Sequence, residues 1–324
     1  MSDLGHVLVL AGGLSYEREV SLSSGRRVTD ALTALGVEVE LVDIDAQLLP
    51  RLLQDPPSAV FLAVHGIEGE DGGLRDALDL SGVPYVGATG AAARLAFDKP
   101  IAKAILGRAG LSTPASVALQ HAAFRDLGGP ALLERVVERL GLPLVVKPAR
   151  GGSALGVTVV RHAADLPSAM VGCYSYDGVA LLERYVDGVE LAVSVIDTGS
   201  GPVALPAVEI DAVSGTFDYA ARYTAGMTEY HVPARLPVEV AAAAGAAAVL
   251  AHEALGLRDI SRTDLIVARD GTVEYLETNV APGMTTTSLL PLAAAAADLD
   301  LGALCRDLLH RAAVRGVSLP GAPV

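Results

Sequence analysis

The chain has 324 residues, 51% of them hydrophobic, which suits a folded α/β protein of two or three subdomains and not a disordered one. A net charge of −14 argues against nucleic acid or an anionic membrane as the main partner, and no apolar run reaches the length of a membrane span. Cys173 and Cys305 have no CxxC or metal-ligand spacing, so a reduced, cytoplasmic setting is the simplest expectation.

The run His6–Leu10 has no basic segment before it and reads as a first strand, not a secretion signal. Gly12-Gly13 follow, then a helix from about Ser23 and strands over 37–42, 59–64 (ending at His65-Gly66) and 84–86. This β-α-β rhythm predicts a mostly parallel sheet with ligand groups at the strand ends. From about Phe97 the pattern changes to a helix over 100–109, a strand over 144–147, a glycine-rich turn, and strands over 157–160, 180–183 and 191–195. A polar loop spans 211–235, Val240–Ala251 is an Ala-rich helix, and residues 316–324, with Pro320 and Pro323, read as a loose tail.

The 24 basic residues comprise 21 Arg and three Lys, at 99, 103 and 147. Lysine is a compact point charge suited to phosphate oxygens, whereas arginine is a planar fork. Chance is the simplest account of Lys103. Lys147 closes an apolar strand beside Gly151-Gly152-Ser153-Ala154-Leu155-Gly156, whose backbone N–H groups can cradle an anion. A buried salt bridge is the competing role for it.

In the stretch 261–279, two β-prone runs flank Asp270-Gly271, the signal of a two-residue hairpin turn. Such a turn sets Asp264 opposite Glu277 and Arg262 opposite Asn279, all four on one face at adjacent rungs. Opposed side chains start about 4.5–5.5 Å apart at Cβ, so two carboxylates there call for a cation or a proton between them. Hard oxygen ligands favour Mg²⁺ or Mn²⁺, above all with nucleotide phosphates completing the shell. A solvent-facing hairpin with an incidental charge cluster is the alternative, weakened by the Pro282-Gly283 turn and its exposed amides.

Taken in order, AGGLSYEREVSL (11–22), HGIEGEDG (65–72), Asp98-Lys99, VKPARGGSALGV (146–157), Glu183, Glu190, the stretch 217–223, Ser261–Asp264 and ETNVAPGMTTTS (277–288) resemble the D-alanine–D-alanine ligase family over almost the whole chain. The resemblance implies an α/β, three-domain ATP-grasp fold: an N-terminal parallel-sheet domain on the substrate side (1–96), a central ATP-grasp lobe (97–183) and a C-terminal catalytic domain (184–315). It implies two Mg²⁺ or Mn²⁺ ions on Asp264, Glu277 and Asn279, and phosphate contacts from Lys99, Lys147, Arg222, Gly152 and Ser153. Glu183 would meet the adenine amino group, the backbone near Val186 the adenine edge, and Glu190 the ribose. Glu17, Ser153 and Tyr223 match a hydrogen-bonded set beside the first substrate's ammonium. His65 and Glu70 would lie near the substrates, although a structural histidine is the alternative for His65. Ser288 and the Leu289 amide would hold the second carboxylate, and Arg262 with the Gly283 amide the oxyanion.

The implied activity is ADP-forming ligation of two D-alanines through an acyl-phosphate, for peptidoglycan precursors, by a homodimer. Rival readings are ligation of another small pair, such as D-alanine with D-serine, or a non-catalytic ATP-binding module. Three departures from the usual pattern stand out: Ala154 for a serine, Arg222 for a lysine, and Arg75-Asp76 for Gln-Gly.

Overall fold

The computed structural model describes residues 4–212 and 226–317, so Arg222, Tyr223, the stretch 217–223 and the tail beyond 317 lie outside the described residues. Strands β1 (Val7–Ala11), β2 (Val39–Asp43) and β3 (Ala59–Leu62) pair in parallel in the order β2-β1-β3. Both faces are buried, as parallel sheets require. Val7, Val9 and Ala11 pack with Val28 and Leu32 of helix α1 (Arg18–Ala34). Leu8 and Leu10 pack with Leu48 and Leu52 of α2 (Leu48–Gln54) and, beyond the single turn α3 (Ile67–Glu70), with Leu78 of α4 (Gly73–Leu80).

Two elements of this first unit differ from the expected pattern. The strand expected over 84–86 shrinks to one parallel bridge between Val60 and Tyr85, because Pro84 has no N–H and the chain turns at Gly87 with φ 107°. Helix α1 starts at Arg18, not near Ser23. Its early turns carry serines that blur the apolar period yet are buried: the Ser21 hydroxyl donates to Ala63 O and accepts from Gly12 N, each at 2.8 Å.

Helices α5 (Gly90–Phe97) and α6 (Lys99–Arg108) are separated by Asp98 alone, whose carboxylate caps α6 by accepting from Ile101 N. Ala102 and Leu106 of α6 share a core with Leu265, Val267 and Tyr275 of the large C-terminal sheet, although the sequence pattern assigned this helix to the central lobe. The lobe's sheet comprises β4 (Ser116–Gln120), β5 (Leu144–Pro148), β6 (Thr158–Val160) and β7 (Val179–Arg184), antiparallel in the order β4-β7-β5-β6. After the short α7 (His121–Asp126), helices α8 (Gly129–Leu140) and α9 (Leu166–Tyr174) cover the face of Leu144, Val146, Ala180 and Leu182. Alternation then turns Val145, Lys147 and Glu183 to the other face.

The third sheet holds β8 (Gly188–Ile196), β9 (Val203–Ala204), β10 (Val208–Ala212), β11 (Thr228–His231), β12 (Ile260–Ala268) and β13 (Val273–Asn279), in the order β11-β10-β8-β12-β13 with β9 on β8. Helix α10 (Val238–Ala254) buries one face. On the other side α11 (Leu289–Ala296) and α12 (Leu301–Arg315) carry a continuous core from Ala192 and Val208 to Val9 and Phe61 of the first sheet. Among the described residues no helix is long and apolar enough to cross a membrane.

The β12–β13 hairpin pairs Arg262 with Asn279 and Asp264 with Glu277, but not through a two-residue turn. Ala268 N donates to Thr272 O at 2.8 Å, so the loop is Arg269–Gly271, and nearer pairs such as Leu265 with Tyr275 run one residue out of the expected register. An irregularity between Asp264 and Leu265 leaves Leu276 as an extra residue and restores the register where the charged side chains stand.

Asp259, fully buried, joins three elements: it accepts from Gly87 N at 2.8 Å and from Arg315 of α12 at 2.7 and 2.8 Å, with Arg311 3.4 Å away. Asp259→Ala leaves Arg315 without its counter-charge, while Arg311 keeps Asp197 at 2.9 Å, and is expected to destabilise the protein by about 3–5 kcal/mol. Urea denaturation checks this, and a loss below about 1 kcal/mol would mean that the cluster does not hold the units together.

Candidate active site

Two cavities meet where the three sheets converge. The larger, about 420 Å³, is lined by Glu17, His65, Glu70, Ser153, Arg262, Asn279, Gly283, Ser288 and Leu289. The smaller, about 140 Å³, lies between the four-stranded and the large sheet and is lined by Lys147, Glu183, Tyr185, Glu190, Asp264 and Leu276. Lys99, Gly151, Gly152 and Glu277 line both, so the cavities join at a lysine and a carboxylate.

In the larger cavity, the Ser153 hydroxyl donates to the Glu17 carboxylate. Glu17 also leans on Gly66, where φ is +76° and a Cβ would stand 2.4 Å from a carboxylate oxygen, so only glycine fits. Ser153 and Ala154 both sit in the left-handed region, at φ 53° and 55°, a conformation that non-glycine residues hold only when neighbours enforce it. Tyr223, the third member expected in this set, is outside the described residues.

His65 is tied at both nitrogens. Ala281 O, 2.9 Å away, can only accept, so Nδ1 carries the proton and Nε2 accepts from the Ser24 hydroxyl at 2.8 Å. The Ser24 oxygen in turn accepts from Met284 N at 3.0 Å. Burial pushes the His65 pKa down to about 4, which keeps the ring neutral. These bonds fix the turn that carries Gly283, where a Cβ would lie 2.6 Å from the Ser288 hydroxyl. Ser288 accepts from Thr285 N at 3.0 Å and stands at the start of α11, ahead of Leu289. Glu70 accepts from Gly66 N at 3.1 Å; burial first, then the charges of Glu17 and Glu277, pushes its pKa up to about 8.

In the smaller cleft, Lys99 donates to Gly151 O at 2.8 Å and pairs with Glu277 at 3.1 Å. Arg262 holds Asp264 through two bonds of 2.7 and 2.9 Å. Lys147 pairs with Glu183, and so does Lys103, at 2.6 Å. Glu190 shares the sheet face of Asp264, since Asp264 opposes Ala192. Val186 is half-buried in the link between β7 and β8 and is not among the lining residues, whereas its neighbour Tyr185 is.

The family described as "D-ala D-ala ligase C-terminus" matches residues 105–310. A D-alanine–D-alanine ligase of Anaeromyxobacter sp. (strain Fw109-5) is 43% identical over 309 residues, 95% of this chain and 97% of that protein. The chain belongs to the D-alanine–D-alanine ligase family. The D-alanine–D-alanine ligase of Bacillus anthracis in complex with ATP matches with a TM-score of 0.78 at 29% identity, covering 96% of this chain and 98% of that one. The VanG D-Ala:D-Ser ligase of Enterococcus faecalis matches at 0.80 and 26%, covering 94% and 99%. The three sheets are therefore the parts of an ATP-grasp fold.

For a ligase of this family the donor set on the hairpin fits a divalent cation. Asp264, Glu277 and Asn279 offer oxygen from neighbouring rungs, the chemistry Mg²⁺ and Mn²⁺ prefer. Asn279 Oδ1 accepts from Ala281 N at 2.7 Å, which fixes its amide. A second group, Glu209, Asp211 and His231, brings ligand atoms within 4.8 Å of one another, with Arg235 on both carboxylates at 2.5 and 2.9 Å, but none of the three lines either cavity.

Three site residues escaped sequence reasoning. Lys103 stands one turn beyond Lys99, and its signal was there: it is the third lysine of a chain that otherwise uses arginine. Arg75, fully buried, donates to Gly69 O beside Glu70 and to Val280 O beside Asn279, so it ties two walls of the larger cavity. Leu276 reaches the cleft only through the hairpin irregularity, which no residue pattern announces.

Glu70 supplies a pH test. Its pKa rises from about 4.5 to about 8 on folding, so the native protein holds an extra proton and loses stability as pH climbs between those values. Glu70→Gln cannot ionise and should gain stability relative to wild type as the pH of metal-free protein goes from about 5 to about 8. Denaturant midpoints across that range report it; a gap that does not change with pH would remove the buried proton.

Proposed function

We propose that this protein joins two D-alanines into D-alanyl-D-alanine, converting ATP to ADP and phosphate, and so supplies peptidoglycan precursors. The observation that carries this reading is the junction, at Lys99 and Glu277, of a polar cavity with a cleft lined by Lys147, Glu183, Glu190 and the glycine-rich turn. A γ-phosphoryl group and an acceptor carboxylate entering from opposite sides would meet there.

In this reading Glu183 and Glu190 accept from the adenine amino group and the ribose hydroxyls, with the backbone near Val186 at the adenine edge. Lys99, Lys147 and Arg222 surround the phosphates, helped by the amides of Gly152 and Ser153. Phosphoryl transfer is largely positioning and charge neutralisation. Mg²⁺ or Mn²⁺ on Asp264, Glu277 and Asn279 would supply further neutralisation of phosphate charge. Glu17, steadied by Ser153 and Tyr223, holds the ammonium of the first D-alanine, whose carboxylate oxygen attacks the γ-phosphorus as ADP leaves.

Ser288 and the Leu289 amide hold the carboxylate of the second D-alanine at a helix start, where an anion is favoured. Its amine attacks the acyl carbon, phosphate leaves, and Arg262 with the Gly283 amide holds the oxyanion formed on the way. His65, neutral and engaged at both nitrogens, sets the position of the Gly283 turn instead of moving protons.

A reduced cytoplasmic setting suits Cys173 and Cys305, both free and buried. The division at about 97, 184 and 316 is kept, except that α6 goes with the C-terminal unit whose core it shares. A homodimer belongs to the same reading, and sedimentation of the purified chain decides it.

The activity is tested by ADP release that depends on D-alanine, with products from a panel of D- and L-amino acids identified by mass. ATP hydrolysis indifferent to every amino acid would overturn the ligase reading. Arg262→Ala should lower kcat by about 10²–10³-fold while the KM for ATP stays near wild type. Ordinary turnover by that variant would take the oxyanion role away from Arg262.

A further inference from the structure

All three lysines of the chain gather at one place, and two of them share a single carboxylate. Glu183 is 2% exposed; Lys103 Nζ lies 2.6 Å from one of its oxygens and Lys147 closes on the other. One negative charge thus has two ammonium partners, more than neutrality requires. The two arrive from different bodies. Lys147 comes from β5, beside the glycine-rich turn, and lines the smaller cleft. Lys103 comes from α6, whose Ala102 and Leu106 lie in the core of the large sheet, and it is not among the cleft's lining residues.

A buried carboxylate that loses its only partner is left as an uncompensated charge, which is strongly unfavourable. One with a second partner fixed behind it can release the first. We infer that Lys103 is a positioning residue: it is the standing counter-ion of Glu183 and thereby frees Lys147 to turn from Glu183 to a phosphate of bound nucleotide. This rests on the ATP reading above and adds a residue that never touches the nucleotide yet sets its affinity.

The local electrostatics agree. Burial draws the Lys103 ammonium below its ordinary value, against the pull of Glu183. Burial raises the Glu183 carboxyl, and Lys147 and Lys103 more than reverse this, leaving it below the ordinary glutamate range. The site also explains the choice of lysine in an arginine-rich chain, since a compact ammonium fits where two cations must share one carboxylate.

Lys103→Met keeps the bulk, removes the charge and leaves Lys147 committed to Glu183. The KM for ATP and the Kd for ATP–magnesium, read from thermal stabilisation, should rise about 10–100-fold, with the KM for D-alanine within about twofold of wild type. The same substitution in a Glu183→Gln background, where no carboxylate holds Lys147, should shift ATP affinity by less than about threefold. If Lys103→Met alone does not fold, Lys103→Gln, which removes the charge but can still hydrogen-bond Glu183, takes its place in both backgrounds with the same expected contrast. Unchanged ATP affinity in Lys103→Met, or an equal loss in both backgrounds, overturns the inference. Wild-type protein that takes up no ATP would instead overturn the ligase reading, and this inference with it.

Discussion

Glu17, Glu70, Glu183, Asp264 and Glu277 crowd two joined cavities in a chain whose net charge is already −14. Two bare carboxylates about 4 Å apart repel by about 4 kcal/mol at an effective dielectric near 20, a large share of a domain's stability. The architecture stands because each is met separately. Asp264 has Arg262, Glu277 has Lys99, Glu183 has two lysines, Glu17 has the Ser153 hydroxyl, and Glu70 keeps its proton. Each partner comes from a definite element, so charge neutralisation and fold specify one another.

The hairpin shows how far that specification can be read from residues. Alternation and a Gly-containing turn were enough to set Asp264 against Glu277 and Arg262 against Asn279. The turn itself was misread, and the pairing survived because the longer loop and the extra Leu276 cancel. A strand pattern reports which side chains share a face, but not where an irregularity has been inserted. Such an insertion depends on what the neighbouring strand and ligand need, and it also turns Leu276 beside Glu277 toward the cleft.

Other misses share a physical cause: the sequence shows residue types, while tertiary contact decides their use. Ser21 and Ser24 look like the polar edge of a late-starting helix, yet both are buried and serve β-strand ends and the Gly283 turn. Lys103 reads as a chance lysine in an arginine-rich chain, and its contact with buried Glu183 gives it an interior place. The parallel sheet was legible because alternating apolar strands and helices leave few alternatives, and Lys147 because an apolar strand ends on it beside a glycine-rich turn, whereas Lys99 and the Glu17–Ser153 pair were signalled only by the family resemblance. The roles of Arg222 and Tyr223 depend on a stretch outside the described residues.

The seams between the units differ in kind, and the difference suits a cleft that must accept a charged ligand. The first sheet and the large sheet share one apolar core through α11 and α12, so they cannot separate without exposing it. The four-stranded sheet keeps its own core. It meets α6 through polar contacts: Lys99 N to Ala149 O at 3.0 Å, Lys99 Nζ to Gly151 O, and Lys103 to Glu183. A highly charged ligand can compete for contacts of that kind without disturbing any hydrophobic packing. Since α6 packs on β13, the helix that offers two lysines and the hairpin that offers the oxygen ligands form one wall, and the glycine-rich turn with Lys147 is presented to it from the other side.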